Sequence, residues 1–401
     1  MKAGARAEAA ARAGGRSGWA ARLRATTTRP GFRSQTLFLI VVALLVFVVW
    51  QTASQNLSRL SVKSGYGFLL EAAPFEIGES LIPFRAGDTY LRAFAAGTLN
   101  TLKVALLGIA LSTFLGLFIA LGQLSKSVAL ARLCRGYIEL IRNVPLLLQL
   151  IFWHTFLTRA LPNVRQALSP VDGVFLTNRG LYLPAPVADP AHGAIGLALL
   201  GGALAALLTL IWSRRRRRLT GRGLSALWPA MALIAPPLAA FIAAGAPLAI
   251  ETPAFKGFNF SGGIVISPEF AAMLLGLTLY VGAFNAEIIR AGILGVSKGQ
   301  AEAGYALGLS RGQVMRKIIL PQALRIIIPP MSNSYLNLTK ESSLAVAIGY
   351  PEIVRVANIT LAETSQAIEC ISIIMVIYLT LSLITAGFLN WVNARAALVE
   401  R

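Results

Sequence analysis

Long apolar blocks alternate with short polar ones along this chain, and the blocks have the length of a bilayer. A helix that crosses a membrane needs about 20 mostly apolar residues. The 401 residues contain eight such blocks, over 36–53, 102–122, 144–161, 193–212, 227–244, 270–289, 326–348 and 371–392. The fifth is interrupted by Pro236-Pro237, and the seventh carries Pro329-Pro330, Asn333, Asn337, Lys340 and Glu341. A segment so polar is tolerated in a bilayer only when it is buried among other helices or lines a polar cavity. The pattern predicts an all-α, polytopic integral membrane protein with about eight transmembrane helices.

Composition agrees: 56% of residues are hydrophobic and 13% charged, against roughly 45–50% and 25% in soluble domains. A soluble globular enzyme and a disordered chain are both excluded. The formal net charge of +20 would suggest nucleic acid in a soluble protein. Its distribution points elsewhere. With a cytoplasmic N-terminus, 26 of the 37 Lys and Arg fall on the cytoplasmic side and most carboxylates on the other, as the positive-inside rule requires. Both termini are then inside, and no nucleic-acid partner is needed. The run Arg214 to Arg218 reads as a stop after the fourth block, able to attract anionic membrane lipid. Residues 1–35 are Ala-, Gly- and Arg-rich and read as a disordered basic cytoplasmic tail. Residues 36–53 read as a retained anchor, because the preceding stretch is long for a signal peptide. Two cysteines and two histidines give neither a disulfide framework nor a metal centre.

The most informative polar stretch is 296–321. Ser297-x-x-Gln300 and Ser310-x-x-Gln313 have capping-box spacing. Gly308 is placed to end the first helix in a left-handed conformation. The expectation is helix, glycine elbow, helix up to Leu320, with Pro321 beginning the next element. Ala303 and Gly304 would leave one face flat enough for another protein to approach.

Glu302-Ala303, then Gly308, then Ile318-x-Leu320-Pro321, resembles the EAA signature of permease subunits of bacterial ABC importers, with Gly304 at the signature's second Ala. Further motifs resemble the polar amino-acid branch of that family. They are Gly97-Thr98 and Thr101, Glu139-Leu-Ile-Arg142-Asn-Val-Pro145, Asn285-Ala-Glu287-Ile-Ile-Arg290 and Lys340-Glu341-Ser-Ser-Leu344. The resemblance implies a type I (MetI-like) permease core in two parts, 97–159 and 264–395. An extra N-terminal span and a two-span insert at 160–263 make the plan similar to a permease of the general L-amino-acid importer.

Function follows from the resemblance. It implies an inner-membrane permease importing polar or general L-amino acids, with a cytoplasmic ATPase dimer docked on the elbow through Glu302, Ala303, Gly304, Gly308 and Ser310. A second homologous permease and a periplasmic amino-acid-binding protein complete the implied assembly. No cofactor is expected on this chain; ATP with magnesium belongs on the ATPase, and the sequence has no phosphate-loop motif. Intramembrane polar residues mark the substrate path. Asn333, Asn337 and Glu341 recur every four residues on one helix face, with Lys340 beside them and Asn285 and Glu287 on the sixth block. Lys340 and Glu341 together would offer both signs to a zwitterion. The rival readings are a self-sufficient secondary transporter or channel, which would show an internal repeat, and a membrane enzyme, which would show a catalytic cluster.

Overall fold

The computed structural model describes residues 65–187, 189–221, 223–245 and 249–396, with scattered helical positions between 37 and 52. The predicted tail 1–35 and much of the predicted anchor 36–53 lie outside the described residues. Two compact units are distinguished: Met1–Phe68 with Glu363–Glu369, and Leu69–Ala362 with Cys370–Arg401. In the smaller unit the Gly65 N–H donates to the Glu369 carboxylate at 2.7 Å. The larger unit carries the features that follow.

Helix α1 spans Tyr90–Gln123 and starts at Thr89, whose hydroxyl accepts the Arg92 N–H. Helices α2 (Val128–Asn143) and α3 (Leu146–Arg159) meet at 102°. Pro145 causes the break: the residue before a proline is driven out of the helical region, and Val144 is extended at ψ 125. With 14 residues, α3 is about 21 Å long, shorter than the roughly 30 Å hydrocarbon layer. The predicted third span is therefore one arm of a bent pair. The hydroxyl of Tyr137 on α2 donates to the Leu279 carbonyl at 2.7 Å.

The insert contains strands that the sequence reading did not anticipate. Strands β1 (Leu168–Val171), β2 (Val174–Thr177) and β3 (Gly180–Leu183) form an antiparallel meander. Next come β4 (Ala185–Pro186), helix α4 (Pro190–Thr220) and helix α5 (Leu227–Ala243). Strands β5 (Ile250–Glu251), β6 (Ala254–Lys256), β7 (Asn259–Ser261) and β8 (Ile264–Ile266) bring the chain back. β4 pairs with β5 and β3 with β8, so the two ends of the α4–α5 excursion are stitched together. The Phe175 and Phe260 rings stack at 4.3 Å across this platform. The arginine run 214–218 continues α4 and does not lie in a loop after it. α5 continues past Pro236-Pro237, which lie inside it.

Helix α6 (Pro268–Leu294) is the axis of the larger unit. Its Phe270, Met273, Leu277 and Val281 are buried with Val104 of α1 and Leu150 of α3. Farther along, its Ala283, Ala286 and Ile289 are buried with Ala120, Ile138, Ile327 and Met331. The one lysine of α1's apolar block, Lys103, meets Glu79 at 2.5 Å and lies 3.9 Å from the Phe270 ring centroid. After α6 come α7 (Lys298–Ala306), α8 (Arg311–Val314), a π-helical turn (Met315–Ile319) and α9 (Leu320–Glu341). A 3₁₀ turn (Ser342–Ile348) then leads to α10 (Ile353–Thr364) and α11 (Ala367–Ala396). Pro321 does not begin a separate element: backbone helix is continuous from Arg311 to Ile348. Leu320 donates to the carbonyl of Met315, five residues back. A proline has no N–H to give, and the wide turn just before it is where the ladder adjusts.

Among the described residues four helices are long and apolar enough to cross a membrane, α1, α4, α6 and α11, or up to six if each bent pair is one span. Of the eight expected spans, the first lies mostly outside the described residues, the third and seventh fall in the two bent pairs, and the fifth is α5. α5 has 17 residues and stands as a shorter apolar helix.

Candidate functional site

The elbow is built by its glycine. Gly308 has φ +74, a conformation that costs other residues roughly 1–2 kcal/mol. It lets two bonds close the end of α7: Gly308 N–H to Tyr305 O at 2.9 Å and Leu309 N–H to Gly304 O at 3.2 Å. The second capping box forms as expected, with Gln313 N–H donating to Ser310 Oγ and Ser310 N–H to Gln313 Oε1 at 3.0 Å. The first does not. Ser297 makes no side-chain cap bond, and Gln300 Oε1 accepts from Gln322 Nε2 at 3.2 Å.

Gly304 is also corrected. It is buried, and a Cβ built there would lie 2.7 Å from Ile318 Cδ1 and 2.9 Å from Val314 Cγ2. Its smallness lets the two elbow helices close on each other and does not flatten an outer face. What the elbow presents outward is Glu302, Ala303, Gly308 and Ser310. Two side chains the sequence reading passed over join them: Tyr305 is 47% and Leu307 79% exposed. An exposed leucine at the tip of a polar turn is the signal that could have found them.

A cavity of about 310 Å³ lies between α6 and α9. Tyr280, Val281, Phe284 and Ile288 form one wall, and Pro330, Asn333, Ser334, Asn337 and Glu341 the other. Three of the six path candidates thus share one space, as their four-residue spacing predicts. Asn285 stands behind it, fully buried. Its Oδ1 accepts from Ser334 at 2.7 Å and its Nδ2 donates to Ser112 at 3.4 Å, so it orients a lining hydroxyl. Tyr335 is held away from the cavity by a 2.8 Å bond with Thr113.

The other two candidates lie elsewhere. Lys340 is exposed and does not line the cavity. The two-sign site expected from Lys340 and Glu341 is not formed within this chain. Glu287 pairs with Arg290 one turn on. Both face a separate polar cavity of about 490 Å³ near the elbow end of α6, with Arg135, Glu139 and Arg142. The Arg142 guanidinium also lies 4.8 Å from the centroid of Phe284, a lining ring of the first cavity. Sequence spacing has no means of finding such a contact between distant helices.

The chemistry of the α6–α9 cavity is one carboxylate, two amides, a hydroxyl and aromatic faces. Carboxylate and ring faces suit an ammonium group, and amide N–H groups suit a carboxylate. Among the described residues no cluster of His, Cys, Asp and Glu could hold a metal ion.

Residues 112–398 match the model of the family described as binding-protein-dependent transport system inner membrane component. The chain is 43% identical over 389 residues, 96% of it and 97% of its counterpart, to the general L-amino acid transport system permease protein AapQ of Rhizobium johnstonii. It is 38% identical to the glutamate/glutamine/aspartate/asparagine transport system permease protein BztB of Rhodobacter capsulatus, over 92% of this chain and 95% of that one. A solved structure, that of an amino acid ABC transporter with histidines, aligns with 76% of this chain and 95% of that chain at 23% identity and a TM-score of 0.46.

Proposed function

The chain belongs to the binding-protein-dependent transport system inner membrane component family, and from that premise we propose that it is the permease subunit of an ATP-driven importer of polar or general L-amino acids. One observation carries the reading. The exposed elbow leads directly into the helical run that lines a polar cavity: α8 continues through the π turn into α9.

In this reading the elbow faces the cytoplasm, as do both termini, and a separate ATPase dimer receives Glu302, Ala303, Gly308 and Ser310 together with Tyr305 and Leu307. ATP with magnesium binds there, and this chain catalyses nothing. ATPase closure moves the elbow, and α9 carries the movement to the cavity. A transported amino acid would direct its ammonium group to Glu341 and the Tyr280 and Phe284 rings, and its carboxylate to the Asn333 and Asn337 amides. No lining residue is cationic, so further anion recognition falls to a second, homologous permease facing this one. A substrate-binding protein delivers to the opposite face.

The test is purification of the tagged chain from its native membrane in mild detergent, with mass-spectrometric identification of what accompanies it. A phosphate-loop ATPase and a second permease are expected. A chain that purifies alone and still transports when reconstituted would overturn the proposal.

A further inference from the structure

At the end of α4, Leu210, Ser213, Arg214 and Arg217 fall at i, i+3, i+4 and i+7, a single helix face. That face meets Leu224, Ser225, Ala226 and Pro229 at the foot of α5, and together they enclose a pocket of about 260 Å³. The turn is held in place: Leu224 N–H donates to Ser213 Oγ at 2.9 Å and Leu227 N–H to Ser225 Oγ at 3.3 Å. Neither Arg214 nor Arg217 forms an ion pair among the described residues, and residues 213–226 contain no carboxylate. Two guanidinium groups thus line a pocket whose remaining wall is two serines and the apolar Leu210, Leu224, Ala226 and Pro229.

The pocket's position names its occupant. α4 and α6 each start next to the paired strands and are each long enough to cross a membrane, so one crossing from there brings the α4–α5 turn and the elbow to the same side. Trp212, about two turns before the end of α4, and Trp228, in the first turn of α5, are exposed, and aromatic side chains near span ends mark the headgroup level of a bilayer. The Trp212 ring is 5.8 Å from the Arg216 guanidinium, which turns that arginine toward the ring. An anion sought by Arg214 and Arg217, next to apolar Leu210, Leu224 and Pro229, has the chemistry of a phosphate ester attached to acyl chains.

We propose that the α4–α5 turn is a binding site for the headgroup of an anionic phospholipid, with Arg214 and Arg217 on the phosphate and Leu224 and Pro229 against the glycerol and first methylenes. The site is independent of substrate transport through the α6–α9 cavity.

The full-length chain, purified in mild detergent, would be titrated with phosphatidylglycerol or phosphatidylcholine of equal chain length, and bound lipid counted by native mass spectrometry. Phosphatidylglycerol should occupy one site roughly tenfold more tightly. Arg214→Gln with Arg217→Gln should remove that preference, whereas Arg215→Gln with Arg216→Gln, an equal loss of charge outside the pocket, should keep it within about twofold. Leu224→Trp, which fills the pocket and leaves every arginine in place, should also weaken the tight site. Equal losses in the two arginine pairs would reduce the effect to diffuse surface charge and overturn the proposal. Displacement of the lipid by inorganic phosphate as readily as by a short-chain phosphatidylglycerol would make it a small-anion site and overturn the lipid assignment.

Discussion

Single residues decide three properties of this permease. Gly308 holds a left-handed backbone that an aspartate adopts only with strain, and the strain falls at the tip of the elbow. Gly308→Asp should insert and fold normally yet lose the ATPase in co-purification, with ATP-driven uptake falling at least about tenfold, the equivalent of 1.4 kcal/mol of coupling. At the cavity, Asn337→Leu keeps the volume and removes an amide. A substrate carboxylate would then be left without a donor, at a cost of roughly 1–3 kcal/mol. Uptake of labelled amino acid in proteoliposomes should fall about tenfold or more with assembly intact; an unchanged rate and selectivity would remove Asn337 from the path.

Glu352 supplies the third property. It lies in the turn before α10, outside the predicted spans, and is fully buried. Burial pushes its carboxyl up to about 7; the Val354 and Arg355 amides and the Tyr378 hydroxyl pull it back only in part. The folded chain therefore keeps a proton that the unfolded chain has released. Stability from this group is full below the ordinary value of 4.5, falls as pH rises through about 7, and is flat above. Melting temperature in detergent should drop by several degrees between about pH 5 and about pH 8. Glu352→Gln should flatten that slope, and an unchanged slope would assign it to another group.

At the scale of elements, the sequence was most readable where local chemistry acts alone. The Ser310–Gln313 capping box, the Gly308 turn and the Asn333–Asn337–Glu341 face all formed from short-range rules. The misses arose where distant segments compete. Ser297 lost its capping box because Gln300 found Gln322 on α9. Lys340 and Glu341 separated because adjacent helix residues point about 100° apart. The strands were missed for a different reason. Asp172-Gly173 is a hairpin turn signal, but it lies inside a stretch read as a connection between spans. Gly304 gives this scale its prediction. Gly304→Leu should wedge α7 from the π turn and weaken ATPase recovery severely. Gly304→Ala must displace Val314 Cγ2 as well as the end of Ile318, so it should cost roughly 1–3 kcal/mol in stability, less than the Leu variant, while still docking.

On the scale of the whole molecule, the insert is a closed excursion. Ala185 is paired with Glu251 and Pro186 with Ile250, so everything between leaves and returns at nearly one point. Replacing 189–248 by a short flexible linker should leave the α1, α6 and α9 core folded, because loop closure across paired strands adds little entropy cost. Monodisperse elution of the shortened chain, still carrying its ATPase, is the expected result. Aggregation would mean that α4 and α5 are needed by the core.

The uninterrupted helix from Arg311 to Ile348 bears on the timing of transport. In mechanical terms it is a drive shaft with a single coupling, the π turn, and Asn333, Asn337 and Glu341 are keyed to it. A shaft passes torque without waiting for a sequence of contacts to rearrange. On the proposed coupling, torque applied at the elbow and reorientation of the cavity wall would be one event, with the slack between them limited to what five wide-wound residues can absorb.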